Sequence, residues 1–203
     1  MRKKLKTGLL FTMALLGALL ATAAVMQQEQ QTLAGKLIRL HVVANSDTKE
    51  DQLLKLQVRD AVLAVTASVD TQHGDPEDNL KQMLPQIKQA AEECLRRQGS
   101  SDPVGVSFGD EVFPTRYYEN FTLPAGVYRS LRVTIGEGKG HNWWCVVFPS
   151  ICFRATAAEL EEAAQVAGLT EGEIRLITEE QDGYQLKFKS LELLQAIKSA
   201  LFR

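Results

Sequence analysis

His141 and Cys145 are the two residues whose chemistry would make this protein an enzyme. A histidine can act as the base that activates a cysteine nucleophile, and an acid such as Asp110 would orient its ring. Cys145, however, lies in the apolar run Trp-Cys-Val-Val, where burial raises the pKa of a thiol, and Cys152 offers it an oxidising partner. We therefore predict no catalytic residue, and a thiol hydrolase stands as the alternative.

Two other patterns are too incomplete to predict a ligand site. The loop from Gly136 to Gly140 places Lys139 among glycines, but a phosphate-binding loop would continue through Ser or Thr into a helix. The three histidines are not spaced as metal ligands on a helix, and the sequence has no Cys-x-x-Cys pair. We predict neither a metal site nor a cofactor.

Cys145 and Cys152 lie in two strand-like runs that meet at Pro149 and Ser150. Their side chains would face each other if the two runs form a hairpin. In an exported protein such a pair suggests a disulfide, and two reduced, buried cysteines are the alternative. Cys94 falls on the apolar stripe of a predicted helix and is expected in the core.

The charged residues are divided unevenly along the chain. The 203 residues carry a formal net charge of −2, and of the 23 Lys and Arg residues four lie in residues 1–23, which contain no acid. The rest of the chain therefore has 19 basic residues against 25 acidic ones, a net charge of −6. An acidic body argues against nucleic-acid binding, because neutralising phosphates needs a basic face.

Residues 1–24 have the order of an export signal. Basic residues are followed by an apolar run over 8–20 and by the small residues Ala21-Thr22-Ala23. We predict a signal peptide, or an N-terminal membrane anchor if the segment is not cleaved, because the apolar stretch can be extended to about the span of a bilayer. In both cases the remaining chain is exported. Residues 25–36 are predicted to be a polar linker.

The elements that would position these residues begin after the linker. Alternation over 37–44 predicts a strand, and helical spacing predicts two helices, over 49–66 and up to Gln98. From Pro103 onward the pattern alternates again, with turn residues at 123–126, which predicts antiparallel hairpins. The fold class expected for residues 37–153 is therefore α+β, an antiparallel-rich sheet covered by helices on one face.

Residues 154–203 are predicted to form a small α/β C-terminal segment. Thr156 and Glu159 form a capping-box pattern for a helix that ends near Gly168. Strands are expected over 174–178 and 184–189, and a closing helix over 191–201.

Two ordered blocks of this sequence resemble the stage II sporulation protein R family. The first block reads Ile38-Arg-Leu-His-Val-Val-Ala-Asn-Ser-Asp47, and Val58-Arg-Asp-Ala-Val-Leu63 follows it. The second block includes Phe113-Pro-Thr-Arg116, Leu123-Pro-Ala-Gly-Val-Tyr128, Ile135-Gly-Glu-Gly-Lys-Gly140 and Asn142-Trp-Trp-Cys-Val-Val-Phe-Pro149. The resemblance is specific because long blocks agree in order, whereas residues from 154 onward are weakly characteristic.

The resemblance implies a signalling function. Members of this family are made in the forespore and exported into the space between the forespore and mother-cell membranes. There they trigger a membrane-embedded aspartic protease that removes the pro-sequence of sigma-E. We therefore expect a secreted ligand of that protease and not an enzyme, touching the membrane only through an uncleaved N-terminal segment. The alternative function is a secreted thiol or cell-wall hydrolase that uses Cys145 and His141.

The resemblance assigns no receptor contacts, so the docking surface is predicted from residue types. Arginine and aromatic residues are enriched at interface hot spots. Strand alternation requires at least one of the two tryptophans to face the core. The predicted docking residues are Asn45, Asp47, Arg116, Tyr117, Trp143 and Trp144.

Overall fold

Helix ends in this protein are marked by capping residues, as the computed structural model of the chain shows. The structure describes residues 2–67, 74–118, 120–151 and 157–178. Thr48 accepts a hydrogen bond from the Asp51 amide at the start of one helix, and Asp75 accepts one from Glu77 before Pro76 begins another. Such caps satisfy amide groups that have no partner inside the helix.

The described part of the chain contains five helices and six strands. The helices are α1 (Arg2–Gly35), α2 (Lys49–Thr66), α3 (Pro76–Arg97), α4 (Ala157–Val166) and α5 (Glu171–Thr178). The strands are β1 (Ile38–Val43), β2 (Val104–Phe113), β3 (Arg116–Tyr117), β4 (Thr122–Leu123), β5 (Gly126–Ile135) and β6 (Asn142–Phe148).

Four of these strands form the main sheet, in the order β2-β5-β1-β6. β5 is antiparallel to β2, β1 is antiparallel to β6, and β1 runs parallel to β5. The predicted α+β class with an antiparallel-rich sheet is confirmed. β3 and β4 form a separate two-stranded sheet.

The first face of the sheet packs against α2 and α3. Leu40, Val42, Leu131 and Val133 are fully buried there, together with Val58 and Val62 of α2 and Leu80 and Ile87 of α3. This is the helix-covered face that the sequence predicted. Cys94 is partly buried against the same core.

The second face is also covered, which corrects the expectation that helices cover one face. Its core contains Leu33 from α1, Phe113, Tyr128 and Val146 from the sheet, and apolar residues of α4 and α5. Because both faces of β1 are buried, Arg39 and His41, which alternate with its apolar residues, are buried as well.

Residues 25–36 do not form the predicted linker. They continue α1, and Gln30 donates a hydrogen bond of 2.9 Å to the Ala125 carbonyl while Leu33 is fully buried. Lys36 Nζ lies 2.7 Å from Glu173 Oε2 of α5. The other polar residues at 27–32 lie on the exposed side of the helix, whereas Gln30 and Leu33 lie on the side that docks on the domain.

The predicted strand over 174–178 is also wrong, because these residues belong to α5. Thr170 and Glu173 form reciprocal hydrogen bonds at the start of this helix, which is the capping-box arrangement. Ile174 and Ile177, three residues apart, are both buried. The predicted helix that ends near Gly168 is confirmed as α4, whereas Thr156, the strand over 184–189 and the closing helix lie outside the described residues.

Candidate partner-docking site

Trp143 and Trp144 point to opposite faces of β6, as strand alternation requires. Trp143 is on the first face, where Arg59 of α2 lies over its ring at 4.3 Å. Trp144 is on the second face and stacks on His41, with ring centroids 3.8 Å apart. Both side chains are partly buried. The predicted docking residues therefore do not form a single surface.

Arg116 and Trp144 are brought together on the second face. Arg116, in β3, places its guanidinium carbon 5.3 Å from the centre of the Trp144 ring, and its Nε atom is buried without a hydrogen-bond partner. Tyr117, the next residue, is 51% exposed. An arginine over an aromatic ring beside an exposed tyrosine has the composition of an interface hot spot.

Arg39 lies beneath this pair, and the sequence analysis did not single it out. Its side chain is completely buried and packs over the rings of Phe113 and Tyr128. Its Nε donates to the Cys145 carbonyl and one terminal nitrogen donates to the Tyr118 hydroxyl, both at 2.9 Å. We call Arg39, Arg116, Tyr118 and Trp144 the arginine–tryptophan cluster.

Within the described ranges, neither arginine of the cluster forms an ion pair with a carboxylate. Burial is the main cause that lowers the pKa of Arg39, and the nearby Arg116 charge acts in the same direction. Burial also raises the pKa of Tyr118, and it raises that of Tyr128 to about 12, so both phenols are neutral at neutral pH. The second terminal nitrogen of Arg39, Nη1, is buried without a hydrogen-bond partner.

A neutralised network lies next to the cluster. His41 Nδ1 is 2.6 Å from Glu111 Oε1, which also accepts a 2.7 Å bond from Arg132. Ser130 donates to the other oxygen of Glu111 at 3.0 Å. Both carboxylate oxygens of Glu111 therefore have hydrogen-bond partners within this network. The network also fixes the position of the His41 ring, on which Trp144 stacks.

Asn45 and Asp47 shape a loop junction at the end of β1. Asn45 accepts a hydrogen bond from the Glu137 amide and donates to Asp51. Asp47 accepts a 2.6 Å bond from the His141 amide and also contacts the His141 ring. The amide of His141 is the main cause that holds the pKa of Asp47 below its usual value. The hydrogen bonds of Asn45 and Asp47 therefore join the loop between β1 and α2 to the loop between β5 and β6.

The glycine-rich loop does not present free amides. The backbone N–H groups of residues 136–140 donate to Pro103, to Asn45 side-chain and main-chain oxygens, to Ile135 and to Ala44. Lys139 pairs with Glu137 at 2.6 Å. An anion-binding nest needs unpaired amides, so the geometry does not favour a phosphate site here.

Cys145 and His141 are not arranged as a catalytic pair. Cys145 is 1% exposed on the first face, whereas His141 is exposed before β6 and contacts Asp47 instead of Asp110. Four residues of extended chain separate the two by about 13 Å. Cys152 lies outside the described residues, so the disulfide stays a prediction. Cys94 carries a free thiol whose pKa is raised by burial.

Two findings concern metals and membranes. Among the described residues, no group of three or more His, Cys, Asp or Glu side chains is placed to hold a metal ion. Residues 10–35 of α1 are long and apolar enough to cross a membrane, which is compatible with a signal peptide or an anchor.

Comparisons with known proteins identify the family. The model of stage II sporulation protein R matches residues 34–158, more than half of the chain. The stage II sporulation protein R of Bacillus subtilis (strain 168) is 38% identical over 135 residues, which cover 65% of this chain and 60% of that protein. No solved structure matches the chain. From the family model and the ordered blocks that it spans, this chain belongs to the stage II sporulation protein R family.

Proposed function

We propose that this protein is a secreted signal of endospore formation. It passes from the forespore into the space between the two membranes and activates the membrane-embedded aspartic protease that processes pro-sigma-E in the mother cell. The observation that carries the proposal is the family match over residues 34–158, which contains both motif blocks. The apolar part of α1 supports the export step.

The domain would act by binding and not by catalysis. A ligand changes a receptor only if it binds the active arrangement more tightly than the inactive one. Moving a receptor from 1:99 to 99:1 in favour of the active form needs a difference of about 10⁴-fold in affinity. In protein interfaces a few well-packed aromatic and arginine side chains carry most of the binding energy. The arginine–tryptophan cluster and Tyr117 have these residue types, which supports their assignment as the anchors.

The experiment is complementation in a sporulating host that lacks its own copy of this signal. The full chain should restore cleavage of pro-sigma-E, detected as the shorter sigma-E band on an immunoblot. The chain without residues 1–23 should accumulate in the forespore and leave pro-sigma-E uncleaved. Failure of the full chain to restore cleavage, with the protein present at normal level, would refute the proposal. Full activity of the shortened chain would refute the export step.

A further inference from the structure

The arginines of this protein differ in whether they have a carboxylate partner. Five arginines form ion pairs with carboxylates of this chain. The pairs are Arg59 with Asp60, Arg96 and Arg97 with Glu93, Arg129 with Glu77 and Asp110, and Arg132 with Glu111. Within the described part of the chain, Arg39 and Arg116 form no such ion pair, and both belong to the arginine–tryptophan cluster. Two adjacent guanidinium groups without an acid are unfavourable in a partly buried site, because each destabilises the charge of the other.

The neighbours of Arg39 compensate its charge only in part. The carbonyl of Cys145, the hydroxyl of Tyr118 and the aromatic faces of Phe113 and Tyr128 are polar or polarisable but neutral. Nη1 of Arg39 is left without an acceptor in a side chain that is completely buried. A buried charge of this kind is stabilised by an anion brought close to it.

The opposite face of β6 shows what a complete version of the cluster looks like. There Arg59 lies over the Trp143 ring, as Arg116 lies over Trp144, but Arg59 has Asp60 beside it at 2.8 Å. The two sites share an arginine over a tryptophan and differ in the built-in carboxylate. Among the described residues, no carboxylate of this chain takes the corresponding place beside Arg116.

The side chains around this position favour a polypeptide as the source of the acid. Arg116, Tyr118 and Trp144 are partly exposed, and Tyr117 is 51% exposed next to them. These aromatic and arginine side chains are the types that dominate protein–protein hot spots.

We infer that the arginine–tryptophan cluster binds an acidic segment of the partner protein, with a carboxylate against Arg116 and above the buried charge of Arg39. The identity of that partner as the sporulation protease rests on the proposed function. The recognition of an acidic peptide does not rest on it, because it follows from the positive charges of Arg39 and Arg116.

The direct test is binding of a dye-labelled oligoglutamate peptide to the purified full chain, followed by fluorescence anisotropy. We expect saturable binding that weakens with added salt and that R116Q reduces by about tenfold or more. R59Q is the matched control, because it removes the arginine from the Trp143 site, and its binding should equal that of the unmodified chain. Circular dichroism melting of each variant establishes that it is folded.

Three outcomes would overturn the inference: equal binding of oligoglutamate by R116Q and the unmodified chain, equal binding of oligolysine and oligoglutamate, or displacement of the peptide by phosphate at equal concentration of charge. The last result would indicate a site for small anions.

The complementation assay separates this inference from the proposed function. A chain that binds oligoglutamate through Arg116 but does not restore pro-sigma-E cleavage refutes only the proposed function. If the R116Q variant restores cleavage as well as the unmodified chain does, only the acidic docking site is refuted.

Discussion

Single residues in this domain have two kinds of role, which the sequence pattern alone does not distinguish. Asn45 and Asp47 are among the predicted docking residues, yet they accept hydrogen bonds from the amides of Glu137 and His141 and hold two loops together. Arg116 instead has a buried Nε without a partner, beside a tryptophan. The first kind of residue builds the domain, and the second kind is the one that we propose for partner binding.

The loop junction leads to a prediction at Gly140. A Cβ atom at this position would lie 2.2 Å from the Ser46 carbonyl oxygen, so the backbone must move to admit it. Gly140→Ala should therefore lower the free energy of unfolding by about 1–3 kcal/mol in urea denaturation. Gly109→Ala is the control, because a Cβ atom there meets nothing within 4 Å. Equal stability of the two variants would show that the loops do not pack as described.

The placement of the tryptophans was predictable from sequence, whereas the burial of Arg39 was not. Alternation alone requires Trp143 and Trp144 to face opposite ways. The same rule places Arg39 and His41 on the face opposite Leu40, and a single sequence gives no sign that this face is also covered. The cover comes from Leu33, Leu160 and Ile174, which are distant in sequence and whose contact depends on tertiary packing.

At the scale of elements, α1 has two parts with different surroundings. Leu20 is 59% exposed, whereas Leu33 is fully buried against the second face. The sequence predicted a polar linker over 25–36, because residues 27–32 are all polar. The docking side of the helix here includes a buried glutamine, Gln30, beside Leu33 and Ala34, so hydrophobicity alone does not mark it. A chain cleaved near Ala23 would keep the docked part of the helix.

Leu33→Ala tests this docking. Removing a fully buried leucine side chain should lower the free energy of unfolding by about 2–5 kcal/mol. Leu20→Ala, the same change on the exposed part of the helix, should change it by less than about 0.5 kcal/mol. The measurement is urea unfolding followed by tryptophan fluorescence. If both variants unfold like the unmodified chain, residues 25–36 behave as a linker and the docked helix is wrong.

The contact between α3 and the sheet depends on pH. Arg129 of β5 donates to Glu77 at 2.8 Å, and this bond, with that from Lys81, lowers the pKa of Glu77 to about 2. Because the folded pKa lies below the unfolded one, the stabilisation is present above about pH 4.5 and is lost as the pH falls towards 2.

Glu77→Gln should therefore cost up to about 1 kcal/mol of unfolding free energy at neutral pH and clearly less near pH 2, where about half of the Glu77 side chains are protonated. Urea unfolding at both pH values measures this difference. Glu161→Gln on the exposed surface of α4 removes the same charge and should show no such pH-dependent loss. A cost for Glu77→Gln that is the same at both pH values would contradict the ion pair as its cause.

At the scale of the whole molecule, the net charge of −2 is the sum of two unlike parts. A basic leader and an apolar stretch precede a domain that is acidic overall and is folded around both faces of one sheet. The fold class was predictable, since it depends on local composition and periodicity. The division at the leader stays a prediction from composition. The placement of Arg39 beneath Arg116 depends on strand order, which a single sequence does not determine.

The central claim is that this chain is itself the signal that activates the protease, and co-expression tests it most directly. The membrane protease and pro-sigma-E are produced in a cell that does not sporulate, with or without this chain carrying its N-terminal segment, and processing is scored by immunoblot. We predict that pro-sigma-E is cleaved only when the chain is present and exported. Cleavage that is equal with and without the chain, or absent in both cases while all three proteins are made, would contradict the claim.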